Sequence, residues 1–347
     1  MRATTLASGY RFARLIKGGW QLAGGHGPVD DAAAIADMSA FAEAGITTFD
    51  CADIYTGVEQ RIGAFLRDYR QRYGEESAGG IQVHTKYVPD LAALATLARR
   101  DVEAAVDRSR RRLGLERLDL VQFHWWDYTV PRSVEVGQWL GELRRSGAIR
   151  EIGATNFDVP RLRALVEAGV PVATHQVQYS LVDRRPENGM AAFCRERGIG
   201  LIAYGALLGG FFSERWLGAA EPVPPLENRS LVKYKLIIDA FGGWTAFQAV
   251  LRAAQGVAER HGTPLGTVAL AWALGRPGVS AVIVGARNAR QLPATLAALD
   301  LDLDAEDHAR LAAAVQGRGP GGDTYALERE KGGPHASIMR YDLNSAR

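Results

Sequence analysis

The stretch Thr47-Thr48-Phe49-Asp50-Cys51-Ala52-Asp53-Ile54-Tyr55 sets the pattern from which the chain can be read. It follows a helical run, residues 31–44, that stops at Gly45. Ile46 to Phe49 is β-branched and aromatic, with Gly before it and polar residues after, which predicts a buried strand. Asp50 then stands at the C-terminal end of that strand and Tyr55 on the loop beyond. A carboxylate and a phenol in those places suit proton handling. They suit a helix cap and a packed aromatic equally well, and this stretch alone does not choose.

The same strand-then-helix unit recurs. Strands are predicted at residues 12–16, 47–49, 81–86, 118–124, 149–154, 173–178, 200–204 and 281–284. Helices are predicted at 58–69, 97–113, 132–146, 159–168, 186–197, 246–261 and 289–298, with a further one at 305–315. Strict alternation implies parallel strands joined by crossover helices. Eight units in 347 residues fit an α/β fold of the (β/α)8 TIM-barrel type as a single domain, better than an open doubly wound sheet. No G-x-G-x-x-G follows a strand and no P-loop motif is present. The connection over residues 208–245, after the seventh strand, is long enough to be a lid or binding loop. A Gly-rich break at 317–322 opens a C-terminal tail, 317–347.

Composition narrows the classes. The chain is 47% hydrophobic and 23% charged, as soluble globular domains are. A formal charge of +2 offers no case for nucleic acid or an anionic membrane as partner. Only five of the 41 basic residues are lysines: Lys17, Lys86, Lys233, Lys235 and Lys331. Cys51 and Cys194 lie in apolar surroundings outside any C-x-x-C motif, which fits a reducing compartment. No signal-peptide pattern and no membrane-spanning run is read, so a cytoplasmic protein is expected. No metal is expected.

A barrel of this kind carries its chemistry on the C-terminal ends of its strands. Reading those ends gives Asp50 after the second strand, Lys86 at the end of the third and His124 at the end of the fourth, with Tyr55 beyond the second. Taken singly, Asp50 reads as a cap, Tyr55 as loop packing and His124 as an interior histidine. Lys86 is hardest to dismiss, because an ammonium ending an apolar strand needs a partner. Taken together they form a general acid and an electrophilic site. An ammonium lowers the phenol pKa, a carboxylate keeps the ammonium charged, and a neutral imidazole can donate to a carbonyl oxygen.

The chain resembles the aldo-keto reductase family from Leu15 to about Leu299. The motifs that carry the resemblance are Thr48-Phe49-Asp50 through Tyr55-Thr56-Gly57-Val58-Glu59, Thr85-Lys86, and Gln122-Phe123-His124-Trp125. Ile152-Gly153-Ala154-Thr155-Asn156-Phe157, His175-Gln176-Val177-Gln178-Tyr179 and Ile283-Val284-Gly285-Ala286-Arg287-Asn288 agree in order. The resemblance implies a (β/α)8 barrel that transfers hydride between NADPH and an aldehyde or ketone. It places the catalytic tetrad on Asp50, Tyr55, Lys86 and His124. It implies Gly18, Gly19 and Trp20 by the nicotinamide, Thr155, Asn156 and Gln176 on its carboxamide, and Tyr204 stacked on its ring. Gly205, Leu207 and the loop to Gly210 would follow the pyrophosphate, and Gly285, Arg287 and Gln291 the ribose phosphate and adenine. Gly205 stands where relatives often have Ser, and Ala294 and Thr295 where many have Glu and Asn, so NADP preference rests mainly on Arg287.

Trp20, Trp125, Trp126 and Tyr128 predict an aromatic-walled pocket for a small-molecule carbonyl substrate. The tail carries Tyr325, Leu327, Ile338, Met339, Tyr341 and Leu343, which need something to pack on. It is expected to cross the barrel mouth, with packing on the barrel side or a second subunit as the alternative. The competing function is an NADP-binding regulatory subunit that senses redox state with little turnover.

Overall fold

The computed structural model describes residues 2–286 and 288–344. A hairpin of β1 (Ala3–Thr5) and β2 (Arg11–Ala13) precedes the barrel strands β3 (Leu15–Gly18), β4 (Thr48–Asp50), β5 (Gln82–Tyr87) and β6 (Leu118–Phe123). The barrel continues with β7 (Ile149–Thr155), β8 (Val172–Gln178), β9 (Gly200–Tyr204) and β10 (Val279–Val284). Among the described residues, eight parallel strands close into a barrel, β10 pairing back to β3 through Val282 and Leu15. Such strands are covered on both faces, which is why they read as apolar runs.

The helices are α1 (Asp31–Glu43), α2 (Val58–Gly79), α3 (Arg99–Leu113), α4 (Ser133–Arg145), α5 (Val159–Glu167) and α6 (Met190–Glu196). They continue with α7 (Arg229–Phe241), α8 (Gly243–His261), α9 (Leu265–Leu274), α10 (Leu292–Ala297), α11 (Ala305–Val315), α12 (Ala326–Arg329) and α13 (Pro334–Ser337). α3 shows the local logic. Val102, Ala105, Val106, Ser109 and Leu113 fall on one buried face, and arginines fill its last turn, where cations favour the helix dipole. Gly114 ends it at φ 68°, a left-handed cap that glycine adopts without a Cβ clash.

Three expectations are corrected, and one helix went unread. The opening strand 12–16 is two strands meeting at Arg14: Arg11–Ala13 pairs antiparallel with β1, and Leu15–Gly18 enters the barrel. The hairpin packs Leu6, Tyr10 and Phe12 with Ile16, Leu120, Ile202 and Ala281, and so fills the barrel beneath the site. The connection 208–245 is largely helical, since it holds α7 and the start of α8. α9 went unread because nearly all its side chains are buried, which leaves no polar face and no period to detect. The second helix runs on past residue 69 to Gly79, with a break at Gly74, φ 83°.

Strand register decides what meets at the mouth. Asp50 is level with Gly18 on one side and His84 on the other, Lys86 with Gln122, and Thr155 with Gln176. The strand ends named from the sequence therefore face one space.

Candidate active site

At the C-terminal mouth a cavity of about 760 Å³ is lined by strand ends, the loop after β9, the first turns of α7 and the tail. At its base the Lys86 ammonium donates to Asp50 Oδ1 at 2.6 Å and to the Cys51 carbonyl at 2.8 Å. Burial alone would depress that ammonium, but Asp50 outweighs it with help from Tyr55, so Lys86 is held above its ordinary pKa. Asp50 Oδ2 accepts from Gln122 Nε2 at 2.9 Å and Gln176 Nε2 at 2.7 Å, and Gln176 also donates to Gln122 Oε1 at 2.8 Å. Four side chains from β4, β5, β6 and β8 thus form one buried network in which both carboxylate oxygens are satisfied.

Lys86 Nζ lies 5.2 Å from the centre of the Tyr55 ring, and Trp20 packs edge-on to the same ring at 5.0 Å. Desolvation pushes the Tyr55 phenol above its ordinary value, and Lys86 draws it back only in part. The expected lowering by the ammonium is therefore overridden by burial, and the phenol stays protonated at neutral pH.

His124 is buried, and burial, with Arg329 nearby, pushes its pKa down to about 3. Its Nδ1 is 3.1 Å from the Thr155 carbonyl. A carbonyl can only accept, so the ring's single proton sits on Nδ1. Nε2 then presents a lone pair and has no partner among the described residues. That corrects the expected imidazole donor: in this tautomer His124 accepts. Trp126 Nε1 and Gln21 Oε1 are likewise buried without partners, and both residues line the cavity. Unsatisfied polar atoms converging on one space mark a place built for a ligand.

The remaining predicted positions divide. Trp20, Trp126, Thr155, Asn156, Gln176, Tyr204, Gly205, Leu207, Gly210, Gly285 and Gln291 line the cavity. Three do not. Gly19 is buried beneath the mouth, its N–H donating to the Asp50 carbonyl at 2.7 Å; a Cβ there would meet Val58 at 2.7 Å. Trp125 is fully buried, and its indole N–H donates to the carbonyls of Asp127 and Val130. The Tyr128 hydroxyl accepts from the Asp158 N–H while the Arg329 guanidinium covers its ring at 4.1 Å. Trp125 is turned inward because successive residues leaving a strand alternate sides, so only Trp126 reaches the cavity. Arg287 lies outside the described residues.

The residues present suit a dinucleotide cofactor, with one fixed aromatic ring, polar side chains and a glycine-rich loop. The Tyr204 hydroxyl donates to Asn156 Oδ1 at 2.9 Å, which fixes its ring, and Asn156 itself takes φ 61°. Gly205 and Gly209 take positive φ where a Cβ would meet Tyr234 at 2.7 and 2.8 Å, so the loop packs against α7 with no room for side chains. Backbone N–H groups in such a loop suit phosphate. Sequence reading missed Gln122, Arg215, Arg229, Lys233 and Tyr234. Gln122 stood inside a quoted motif two residues before His124, and Lys233 was among the few lysines, whereas Arg215, Arg229 and Tyr234 carried no signal.

The tail closes one side. Tyr325, Ile338, Met339, Arg340 and Leu343 line the cavity, and the Tyr325 ring stands edge-on to His124 at 5.8 Å. Arg329 donates to the carbonyls of Trp125 and Asn156, both at 2.8 Å.

A closed parallel barrel with a buried Asp–Lys pair beside a tyrosine and a neutral histidine at its mouth is the architecture of an oxidoreductase acting on carbonyls and alcohols. The aldo/keto reductase family model matches residues 14–316, and the chain belongs to that family. It is 32% identical over 257 residues to flagellar radial spoke protein 5 of Chlamydomonas reinhardtii, a match covering 64% of this chain and 48% of that protein. It is 27% identical over 315 residues to the NADH-specific methylglyoxal reductase of Escherichia coli, covering 85% and 92% of the two chains. Among solved structures, a thermostable aldo-keto reductase in complex with the inhibitor epalrestat superposes with a TM-score of 0.69 at 25% identity, over 90% of this chain and all of that one. Among the described residues no helix is long and apolar enough to cross a membrane.

Proposed function

We propose that this protein reduces an aldehyde or ketone with NADPH, using Tyr55 as general acid, and oxidises the matching alcohol in reverse. The observation that carries this reading is the buried Lys86–Asp50 pair set against the Tyr55 ring. NADPH, when bound, supplies the hydride. Tyr204 offers a fixed face for the nicotinamide, and Thr155, Asn156 and Gln176 offer polar groups for its carboxamide. Both Gln176 Nε2 protons are spent on Asp50 and Gln122, so Oε1 is the atom left to accept a carboxamide N–H. The Gly205–Gly210 loop offers backbone to the pyrophosphate, and Arg287 a guanidinium to the 2′-phosphate.

The phenol of Tyr55 donates its proton to the substrate oxygen as the carbonyl carbon takes up hydride. The Lys86 ammonium stabilises the phenolate that remains, and Asp50 holds the ammonium in place. His124 faces the same space as a neutral ring and brings no charge to it. Trp20, Trp126 and the tail exclude water from that step. The buried pair favours turnover over the regulatory-subunit reading, because a sensor needs no proton donor. The test is oxidation of NADPH, and of NADH in parallel, with a panel of aldehydes and ketones. No turnover by either cofactor at any carbonyl would overturn the reading.

A further inference from the structure

Among the described residues, five cationic side chains line the cavity, Lys86, Arg215, Arg229, Lys233 and Arg340, against a single carboxylate, Asp50. Three of the five are accounted for. Lys86 is paired with Asp50, and Arg215 with Glu227. Lys233 Nζ rests over the rings of Tyr204 and Tyr234, at 4.7 and 5.5 Å, within the field of Glu328.

Like Lys233, neither Arg229 nor Arg340 makes an ion pair among the described residues, and the charge that acts on Arg229 is that of Arg340 rather than a carboxylate. Arg229 is half-buried, its guanidinium 5.4 Å from the centre of the Trp20 ring and donating only to the Ile338 carbonyl, at 3.4 Å. Burial, and then the charge of Arg340, hold its pKa below the ordinary value. Two like charges close enough to act on each other are unfavourable, and an anion bound by both reverses the sign of the interaction. Guanidinium forks match carboxylate and phosphate oxygens.

Their position says which anion. Under the proposed function the pyrophosphate of the cofactor belongs to the loop after β9. Arg229 and Arg340 line the same cavity; Arg229 lies over Trp20 and donates to the Ile338 carbonyl, and Trp20 is the ring packed against Tyr55. We propose that the substrate is a carbonyl compound bearing a carboxylate or phosphate remote from its carbonyl, with that anionic group held by Arg229 and Arg340 beside Trp20. The inference rests on the carbonyl-reductase reading and names its substrate class.

Matched pairs test it: benzaldehyde against 4-carboxybenzaldehyde, and glyceraldehyde against glyceraldehyde 3-phosphate, with saturating NADPH. The charged member of at least one pair should have a KM lower by roughly ten- to hundredfold, the factor a charge-assisted hydrogen bond contributes. That advantage should shrink as ionic strength rises. Arg340→Gln, at an exposed position, and Arg229→Met should erase the advantage, read as the KM ratio within each pair, without loss of NADPH affinity. Calorimetric titration of the cofactor-loaded protein with benzoate and benzyl alcohol gives a readout that needs no turnover, and benzoate should bind more tightly.

Equal KM within both pairs, or equal binding of benzoate and benzyl alcohol, overturns the inference. So does a loss of NADPH affinity in the arginine variants, which would return both cations to the cofactor. If uncharged aldehydes turn over through Tyr55 and the charged ones gain nothing, only this inference fails. If nothing turns over, the reading of the function fails, and the titration still decides the anion site.

Discussion

Glu328 accepts two hydrogen bonds from the Arg185 guanidinium, at 2.8 and 3.2 Å, and both side chains are buried. Asp183 takes the other edge of the same guanidinium at 2.9 and 2.7 Å. Arg185 lies between β8 and α6, and Glu328 on the tail helix α12, so the pair ties the tail to the barrel.

Removing Glu328 leaves Arg185 its Asp183 partner but breaks the buried link between barrel and tail. Glu328→Ala should therefore release the tail from the mouth. We expect KM to rise across the aldehyde panel, NADPH affinity to change little, and protease to cut the segment after Gly317 readily. Deleting residues after Gly317 should relax selectivity in the same direction. Unaltered KM in a folded truncated protein would remove the tail from the substrate wall, and a changed elution volume on a sizing column would make it an assembly element.

Tyr55→Phe should lower turnover by ~10²–10⁴, the usual value of general acid catalysis, and leave the NADPH dissociation constant nearly unchanged. Lys86→Met should act similarly by a different route. Desolvation already raises the phenol pKa, and removing the ammonium removes the charge that draws it back down. The alkaline limb of the rate profile should then move upward while the rate falls. Wild-type turnover in Tyr55→Phe would refute the assignment.

Burial pushes His84, His124 and His175 down to about 3. Unfolded, each titrates near 6.5, so between about pH 3 and 6.5 the unfolded chain binds more protons than the native one. Stability from these three neutral rings is complete above about pH 6.5 and is lost as pH falls toward 3, at up to about 1.4 kcal/mol per pH unit for each. Urea melts at pH 7.5 and 5.5 measure this. A midpoint that does not fall at the lower pH would contradict the burial of the rings as neutral groups.

Arg287→Ala should weaken NADPH binding far more than NADH binding, because NADH lacks the 2′-phosphate that a guanidinium grips bidentately. Fluorescence titration of both cofactors separates the cases. The Escherichia coli relative is named NADH-specific, so the family alone does not fix the choice. Equal losses for both cofactors would assign Arg287 another task.

The sequence by itself determined the barrel and the order of its strands. Alternating strand and helix periods are local properties, and the parallel closure follows from them once crossover connections are required. Asp50, Lys86 and His124 were legible because a barrel turns strand ends to one face, so position along a strand becomes position in the site. Boundaries and orientations at that face were less legible. Trp125 and Trp126 are adjacent and alike in sequence, yet one is core and the other wall, which only the path of the chain after β6 could settle.

Tertiary structure alone decided the rest. α9 has no polar face to give it a period, so its place beside β10 shows only in packing. The proton on His124 is fixed by a carbonyl from the neighbouring strand. Arg185 and Glu328 are 143 residues apart, and Arg229 meets Ile338 across 109. Neither helical nor strand periodicity reaches such spans. Whether a charge is paired, buried or left facing the mouth depends on which distant segments the folded barrel brings beside it.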